Sequence, residues 1–300
     1  MTKLISVFGA TGAQGGSVAR ALLKNGYKVR AFSRNIDSAS SLELKKLGAE
    51  LYKIDMDQPE CDIQKALENS DGLFLVTNFW SFFEKEEEYG KKVVNAALKA
   101  NIKHIVFSGL SACKEISKGK YNVPHFDLKH KIEDYIRQLS KQNPNFVSSF
   151  VYAPFYMQNF STAFMPKKNE HGTYNLSMPQ DPNVPLDMGD IDDIGEIVLA
   201  QFNNPQKYSG MIVPFTGSYL TGEEIAKKLS NYTGKTVNYC FVPPNEFAKL
   251  PFPGAGEMAQ MFGFYNEYGA FYKLDKSIAP SITKLHTFDD FLKQSNFQLL

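Results

Sequence analysis

The chain has 300 residues, 43% of them hydrophobic and 22% charged, with a formal net charge of +1. That length allows one large or two modest domains with a well-buried core, and the near-neutral balance gives no whole-chain drive toward nucleic acid or an anionic membrane surface. No run approaches the ~20 apolar residues of a membrane span, and a strand expected from residue 3 or 4 leaves no room for a signal peptide.

Strand-like runs at Lys3–Phe8, Lys28–Ser33, Glu50–Ile54, Gly72–Val76, His104–Ser108 and Phe146–Tyr152 alternate with helix-patterned segments near 14–25, 38–47, 60–68, 84–100 and 126–140. Strands separated by amphipathic helices and short connections predict an α/β protein with a parallel, doubly wound sheet, in which right-handed crossovers limit the topology. Beyond residue 155 the rhythm breaks. Pro166, Pro179, Pro182 and Pro185 fall among Asn, Asp and Gly, which suggests loops around a hairpin. A capped helix follows at Asp190–Phe202, a strand at Gly210–Phe215, and a helix at 223–232 opened by Thr221-Gly222-Glu223-Glu224. The segment 248–272 is rich in Phe and Tyr. The expected layout is a dinucleotide-binding domain over 1–155 and a smaller α/β domain over 156–300, the boundary soft and interleaved with the sheet, the second half closing over the ligand.

The first strand runs into Gly9-Ala10-Thr11-Gly12-Ala13-Gln14-Gly15-Gly16. Glycines at 9, 12 and 15 between a strand and a helix form the dinucleotide fingerprint. One serves the tight turn, one lets backbone approach a pyrophosphate, and one lets the helix pack close, with its first N–H groups aimed at phosphate. In an NAD site an acidic residue ends the second strand and holds the ribose hydroxyls. Here that strand ends Ala31-Phe32-Ser33-Arg34-Asn35, so an arginine stands where a 2′-phosphate would lie, and its forked donors suit that group. A solvated surface role for Arg34 is the alternative, and Asp37 is nearby but fits the start of the next helix. The pattern favours NADP(H).

The chain resembles the NmrA-like family of atypical short-chain dehydrogenase/reductases, with a human redox-sensing member as the nearest likeness. The matching stretches are Gly9–Arg20, Arg34-Asn35, Val76–Trp80, Ser108-Gly109-Leu110, His125–Lys129, Pro154–Asn159, Phe252–Ala255 and Met261–Tyr265. The resemblance implies an NADP site: Gly9, Ala10, Thr11, Gly12, Ala13, Gln14 and Gly15 on the pyrophosphate, and Arg34 on the 2′-phosphate. Asp55, Met56 and Asp57 would border the adenine, with Thr77, Asn78 and Phe79 at the middle of the cofactor. Lys92, Lys129, Tyr152, Pro154 and Tyr156 would surround the nicotinamide, Lys92 being the one that does not follow a strand.

Active short-chain dehydrogenases carry Tyr-x-x-x-Lys on the helix after the fifth strand, the lysine lowering the tyrosine pKa for proton transfer. Here the place reads His125-Phe126-Asp127-Leu128-Lys129: the i,i+4 spacing survives and the tyrosine does not. His125 and Lys129 are therefore the catalytic candidates, weighed against a capping or packing role for the histidine. Tyr272-Lys273-Leu274-Asp275-Lys276 matches the pattern literally but lies far past the sheet. No metal site is expected from the histidine spacing, and Lys85-Glu86-Glu87-Glu88 suits a solvated helix face. Cys61, Cys113 and Cys240, odd in number and far apart, suit free thiols in a reducing compartment.

Through the resemblance, the expected function is an NADP(H)-binding redox sensor without ordinary dehydrogenase catalysis, acting on a regulatory protein partner or through self-association. It would be cytoplasmic, with the nucleus as a second location, and would bind neither membrane nor nucleic acid directly. An NADPH-dependent reductase of a quinone or similar small carbonyl is the alternative.

Overall fold

The structure, a computed structural model, describes residues 2–300. The chain divides into two compact units: one takes the chain up to Leu110 and adds Leu128–Tyr152 and Asp192–Val213, and the other comprises Ser111–Asp127, Ala153–Ile191 and Pro214–Leu300.

In the first unit the chain runs β1 (Leu4–Val7), α1 (Ala13–Lys24), β2 (Lys28–Ser33), α2 (Ala39–Lys46), β3 (Glu50–Lys53), α3 (Glu60–Leu67) and β4 (Gly72–Leu75). A short helix α4 (Phe79–Phe82) and a 3₁₀ turn (Phe83–Lys85) lead into α5 (Glu86–Lys99) and β5 (His104–Gly109). After α6 (Cys113–Ile116), which belongs to the second unit, come α7 (Pro124–Gln142) and β6 (Val147–Tyr152). The mainly parallel sheet has seven strands in the order Ile212–Pro214, β6, β5, β4, β1, β2, β3. Every residue of β4 and β5 is buried, as expected of strands covered on both faces, which therefore appear as unbroken apolar runs. Each fully buried Leu, Ile or Phe, such as Phe74, Leu75, Ile105 and Phe107, contributes on the order of 1.5–3 kcal/mol.

The doubly wound parallel sheet matches the sequence expectation, with one addition. The strand expected at 210–215 occupies Ile212–Pro214 and lies at the edge of this sheet beside β6, extending six expected strands to seven. Gly210 N–H donates to Ser148 O at 2.7 Å and Phe150 N–H to Met211 O at 2.9 Å. The preceding helix is Asp193–Asn203, shorter at its start than expected, with Asp192 at the cap position. It packs on α1, where Ser17 Oγ donates to Asp192 O at 2.9 Å and accepts from Gly195 N at 3.1 Å.

The second unit holds two three-stranded sheets: Ser218–Leu220, Leu186–Gly189 and Phe155–Tyr156 in one, and Val237–Phe241, Tyr174–Met178 and Lys167–Lys168 in the other. The expected hairpin is the antiparallel pair Lys167–Lys168 with Tyr174–Met178. The helix expected at 223–232 is Gly222–Thr233, where Thr221 and Glu224 form a reciprocal capping box and Gly234 ends the helix at φ +68°. The aromatic segment forms core here: Phe262 lies 5.8 Å from Phe155 and 5.7 Å from Phe164, ring centre to ring centre, and Phe262 and Phe264 are fully buried. Among the described residues no helix is long and apolar enough to cross a membrane, and no group of three or more His, Cys, Asp or Glu is placed to hold a metal ion.

Candidate functional site

The strand order reverses beside β1: the chain moves outward through β2 and β3, then returns to place β4 on the other side of β1. The crevice outside the carboxyl ends of β1 and β4 is where such sheets take ligand. The glycine turn fills one side of it. Gly9 has φ +69°, and its carbonyl accepts from Gly12 N–H at 2.9 Å. A Cβ on Gly15 would lie 2.1 Å from Gly9 O and 2.4 Å from Gly9 C, so only a glycine allows α1 to start this close to the turn. Gly12 stands at the cap position of α1 with no side-chain cap, and no acidic residue lies in the first turn. No carboxylate of that first turn therefore competes with a phosphate for the positive end of the helix. Thr11, Ala13 and Gln14 are at this same helix start, while Ala10 is buried against the core.

Across the crevice, Thr77 follows β4. Its hydroxyl is buried and has no hydrogen-bond partner among the described residues. A buried hydroxyl without a partner is costly, and a polar group of a ligand lying in the crevice would satisfy it. Asn78 is occupied as a helix cap, its Oδ1 accepting from Trp80 N at 3.1 Å. Phe79 is buried, its ring 5.1 Å from that of Trp80 and 5.7 Å from that of Phe83. Phe83 takes the left-handed φ of +47°, which is uncommon for an aromatic residue, and turns the chain between α4 and the 3₁₀ segment.

At the far end, β2 and β3 pair in register with Ser33 opposite Lys53, which brings the residues after each strand together. Arg34 Nε lies 3.6 Å from Asp55 Oδ2, with the Arg34 side chain 68% exposed. Asp55 Oδ1 also accepts from Met56 N at 2.8 Å. Burial pushes the Asp55 carboxyl up, opposed by the Met56 N–H, Arg34 and Lys92 and reinforced by Asp57. Arg34, Asp55, Asp57, Ser81, Phe82, Lys85 and Tyr89 line a cavity of about 280 Å³. Lys92 places its ammonium 4.4 Å from the centre of the Tyr89 ring. Asp37 does not cap α2. That role falls to Ser38, whose side chain accepts from Ser41 N, while Asp37 N–H donates to Asn35 Oδ1.

Two buried charge clusters flank α7. Lys129, 8% exposed, is paired with the fully buried Glu86 at the start of α5. Glu86 therefore departs from the solvated face expected of Lys85–Glu88, because α5 presents it inward toward a lysine 43 residues away. Tyr152 donates its phenol to Glu133 Oε2 at 2.8 Å, and Arg137 Nε donates to Glu133 Oε1 at 2.9 Å. Burial first, then Glu133, raises the Tyr152 phenol well above its ordinary range.

The remaining candidates belong to the second unit. His125 Nδ1 lies 2.6 Å from Glu257 Oε1, the same oxygen accepting from His125 N at 2.7 Å, and the ring stacks on Phe126. Pro154 precedes the strand Phe155–Tyr156, which pairs with Met188-Gly189. The literal Tyr-x-x-x-Lys match is spent on structure: Lys276 pairs with Asp187 at 2.9 Å, and Tyr272 packs edge-on against Tyr268.

Within the first unit the structure thus gathers residues 9–15, 34, 55–57, 77–79 and 92 at the carboxyl edge of the sheet. It adds Ser81, Phe82, Lys85 and Tyr89 to the cavity at the Arg34 end. Those four lie on α4, the 3₁₀ turn and the first turn of α5, beyond the residues that directly follow a strand. The fold and its crevice define a protein of the NAD(P)-binding Rossmann-like class.

The NmrA-like family model matches residues 1–292, and the chain belongs to that family. An NmrA-like family domain-containing protein of Dictyostelium discoideum is 46% identical, with both chains covered in full. FrzB of a Cladobotryum species, an NmrA-like family domain-containing oxidoreductase, is 32% identical over 91% of this chain and 86% of its own. NmrA, a negative transcriptional regulator solved in complex with NAD, superposes with a TM-score of 0.79 at 25% identity, covering 99% of this chain and 92% of that one. NmrA has also been solved in complex with NADP.

Proposed function

We propose that this chain binds NADP(H) in the crevice at the carboxyl ends of β1 and β4 and acts as a redox sensor rather than as an ordinary dehydrogenase. The observation that carries the reading is the glycine turn with Arg34 at the end of β2. The helix start offers uncapped amides to a pyrophosphate, the orphaned Thr77 hydroxyl calls for a polar ligand, and an exposed guanidinium follows β2, where a 2′-phosphate would lie. Residues 9–15 would hold the pyrophosphate, Arg34 the 2′-phosphate, Asp55, Met56 and Asp57 the adenine, and Thr77–Phe79 the middle of the cofactor. Lys92, Lys129 and Tyr152, which share the first unit with the glycine turn, are the nicotinamide-end candidates.

The sensor reading rests on what stands at the dehydrogenase position of α7. The tyrosine is replaced by His125, whose Nδ1 is held by Glu257, and the charge of Lys129 is balanced by Glu86. A lysine already paired with a buried carboxylate is poorly placed to lower the pKa of a proton donor. A family member named as a transcriptional regulator and solved with NAD is consistent with cofactor binding put to regulatory use. Occupancy would shift the population of protein conformations by the difference in affinity between them, for a protein partner or a second copy to detect. Dispersed cysteines, with Cys113 buried and its thiol pushed up chiefly by that burial, fit a reducing compartment such as the cytoplasm.

The name of the Cladobotryum relative favours one second reading, an NADPH-dependent reductase of a quinone or similar carbonyl. Bound NADPH would supply hydride, and the reduced quinone can take the one remaining proton from water. Incubation of the protein with NADPH and a panel of quinones and carbonyls, followed at 340 nm, separates the two. A sensor binds NADPH and leaves it unoxidised; steady turnover that Lys129→Ala slows would replace the sensor with the enzyme.

A further inference from the structure

The carboxylate that opposes Arg34 lies on a different strand from the one that usually sets cofactor choice. Asp55 sits after β3, and the β2–β3 register brings it to 3.6 Å from Arg34 Nε. Its other oxygen is fixed by Met56 N–H, so the carboxylate is positioned by backbone and is less exposed than its partner, 20% against 68%. The cavity these residues share is charge-balanced: Arg34 and Lys85 against Asp55 and Asp57, with Lys92 adding a further positive field.

A 2′-phosphate arriving at Arg34 meets a guanidinium that already has a counter-ion and a carboxylate that repels it. A 2′-hydroxyl meets neither penalty and finds in Asp55 an acceptor. We infer that Asp55 is a specificity-determining residue: it competes with the 2′-phosphate for Arg34 and holds NADP(H) affinity below what the arginine alone would give, narrowing the margin over NAD(H). The inference rests on the cofactor reading above. Its consequence for a sensor is direct. A site weakened in this way stays only part-filled, and part-filled sites report changes in ligand level, whereas saturated ones do not.

The test is calorimetric titration of the full chain with NADPH and NADH, in wild type, Asp55→Asn, Arg34→Ala and the double variant. Asparagine keeps the oxygen that accepts from Met56 N–H and removes only the charge. Release of an exposed pair and of one like-charge repulsion is expected to tighten NADPH roughly three- to tenfold and to leave NADH within about twofold or weaker. With Arg34→Ala in place most of that gain disappears, because there is no longer a guanidinium to release. Asp57→Asn removes an equal charge from the same cavity without touching the Arg34 pair and gives less than half the gain. If wild type binds NADPH and Arg34→Ala weakens it while Asp55→Asn leaves NADPH unchanged, weakens it, or tightens NADH equally, the inference is overturned and the cofactor reading stands. If wild type binds neither cofactor, both fall.

Discussion

Gly15→Ala tests the cradle at its tightest point. The added methyl would lie 2.1 Å from Gly9 O, 2.4 Å from Gly9 C and 2.8 Å from Ala10 N, all backbone atoms and well inside the ~3.5 Å at which non-bonded heavy atoms are comfortable. No rotamer change relieves a clash with main chain, so the start of α1 must move away from the turn by about 1 Å. Overpacking of this kind costs about 1–3 kcal/mol, enough to lower the Tm by several degrees. The same shift misaligns the amides meant for the pyrophosphate, so NADPH affinity should fall at least tenfold, beyond what stability alone explains. Gly26→Ala is the control. Gly26 has φ +80° and open space around its Cβ position, so that variant loses about 1–2 kcal/mol through backbone strain and keeps NADPH affinity. Thermal unfolding and calorimetry on both variants check the pair. Wild-type NADPH affinity in Gly15→Ala would refute the cradle.

Glu86→Leu leaves the Lys129 ammonium buried without its carboxylate and should cost about 3–5 kcal/mol, whereas Glu86→Leu with Lys129→Met should recover most of that loss; urea unfolding of both variants shows whether the pair is coupled as drawn. His104, buried with Nε2 2.7 Å from Ser149 Oγ, is held down to about 4 by burial and secondarily by Lys3. The unfolded chain takes up this proton near pH 6.5 and the folded protein only near 4, so stability should fall by up to about 3 kcal/mol as pH drops through that window and stay flat from this site above it. His104→Gln should remove that slope in chemical denaturation measured at a series of pH values.

The repeating part of the fold was legible because each buried strand is a continuous apolar run and each covering helix has one apolar face, local patterns that survive in a single sequence. The edge strand Ile212–Pro214 has the same local appearance as any short strand. Its place beside β6 is set by pairing across some sixty residues, which no local window contains. The glycine turn was legible because its chemistry is contiguous. The Arg34–Asp55 pair was not, since two residues 21 apart become neighbours only through the β2–β3 register. The burial of Glu86 was not legible for a related reason: in a run of charges the pattern alone does not say which one faces inward, and the buried one is identified only by the lysine it meets.

The most direct measurement is calorimetric titration of the purified protein with NADPH, NADP⁺ and NADH, repeated on Arg34→Ala. Loss of a guanidinium–phosphate contact should weaken NADPH and NADP⁺ by about tenfold or more, on the order of 1.5–3 kcal/mol for a charge-assisted hydrogen bond, and leave NADH nearly unchanged. No binding at the glycine turn, or a preference for NADH that is indifferent to Arg34, would contradict both the cofactor and the sensor built upon it.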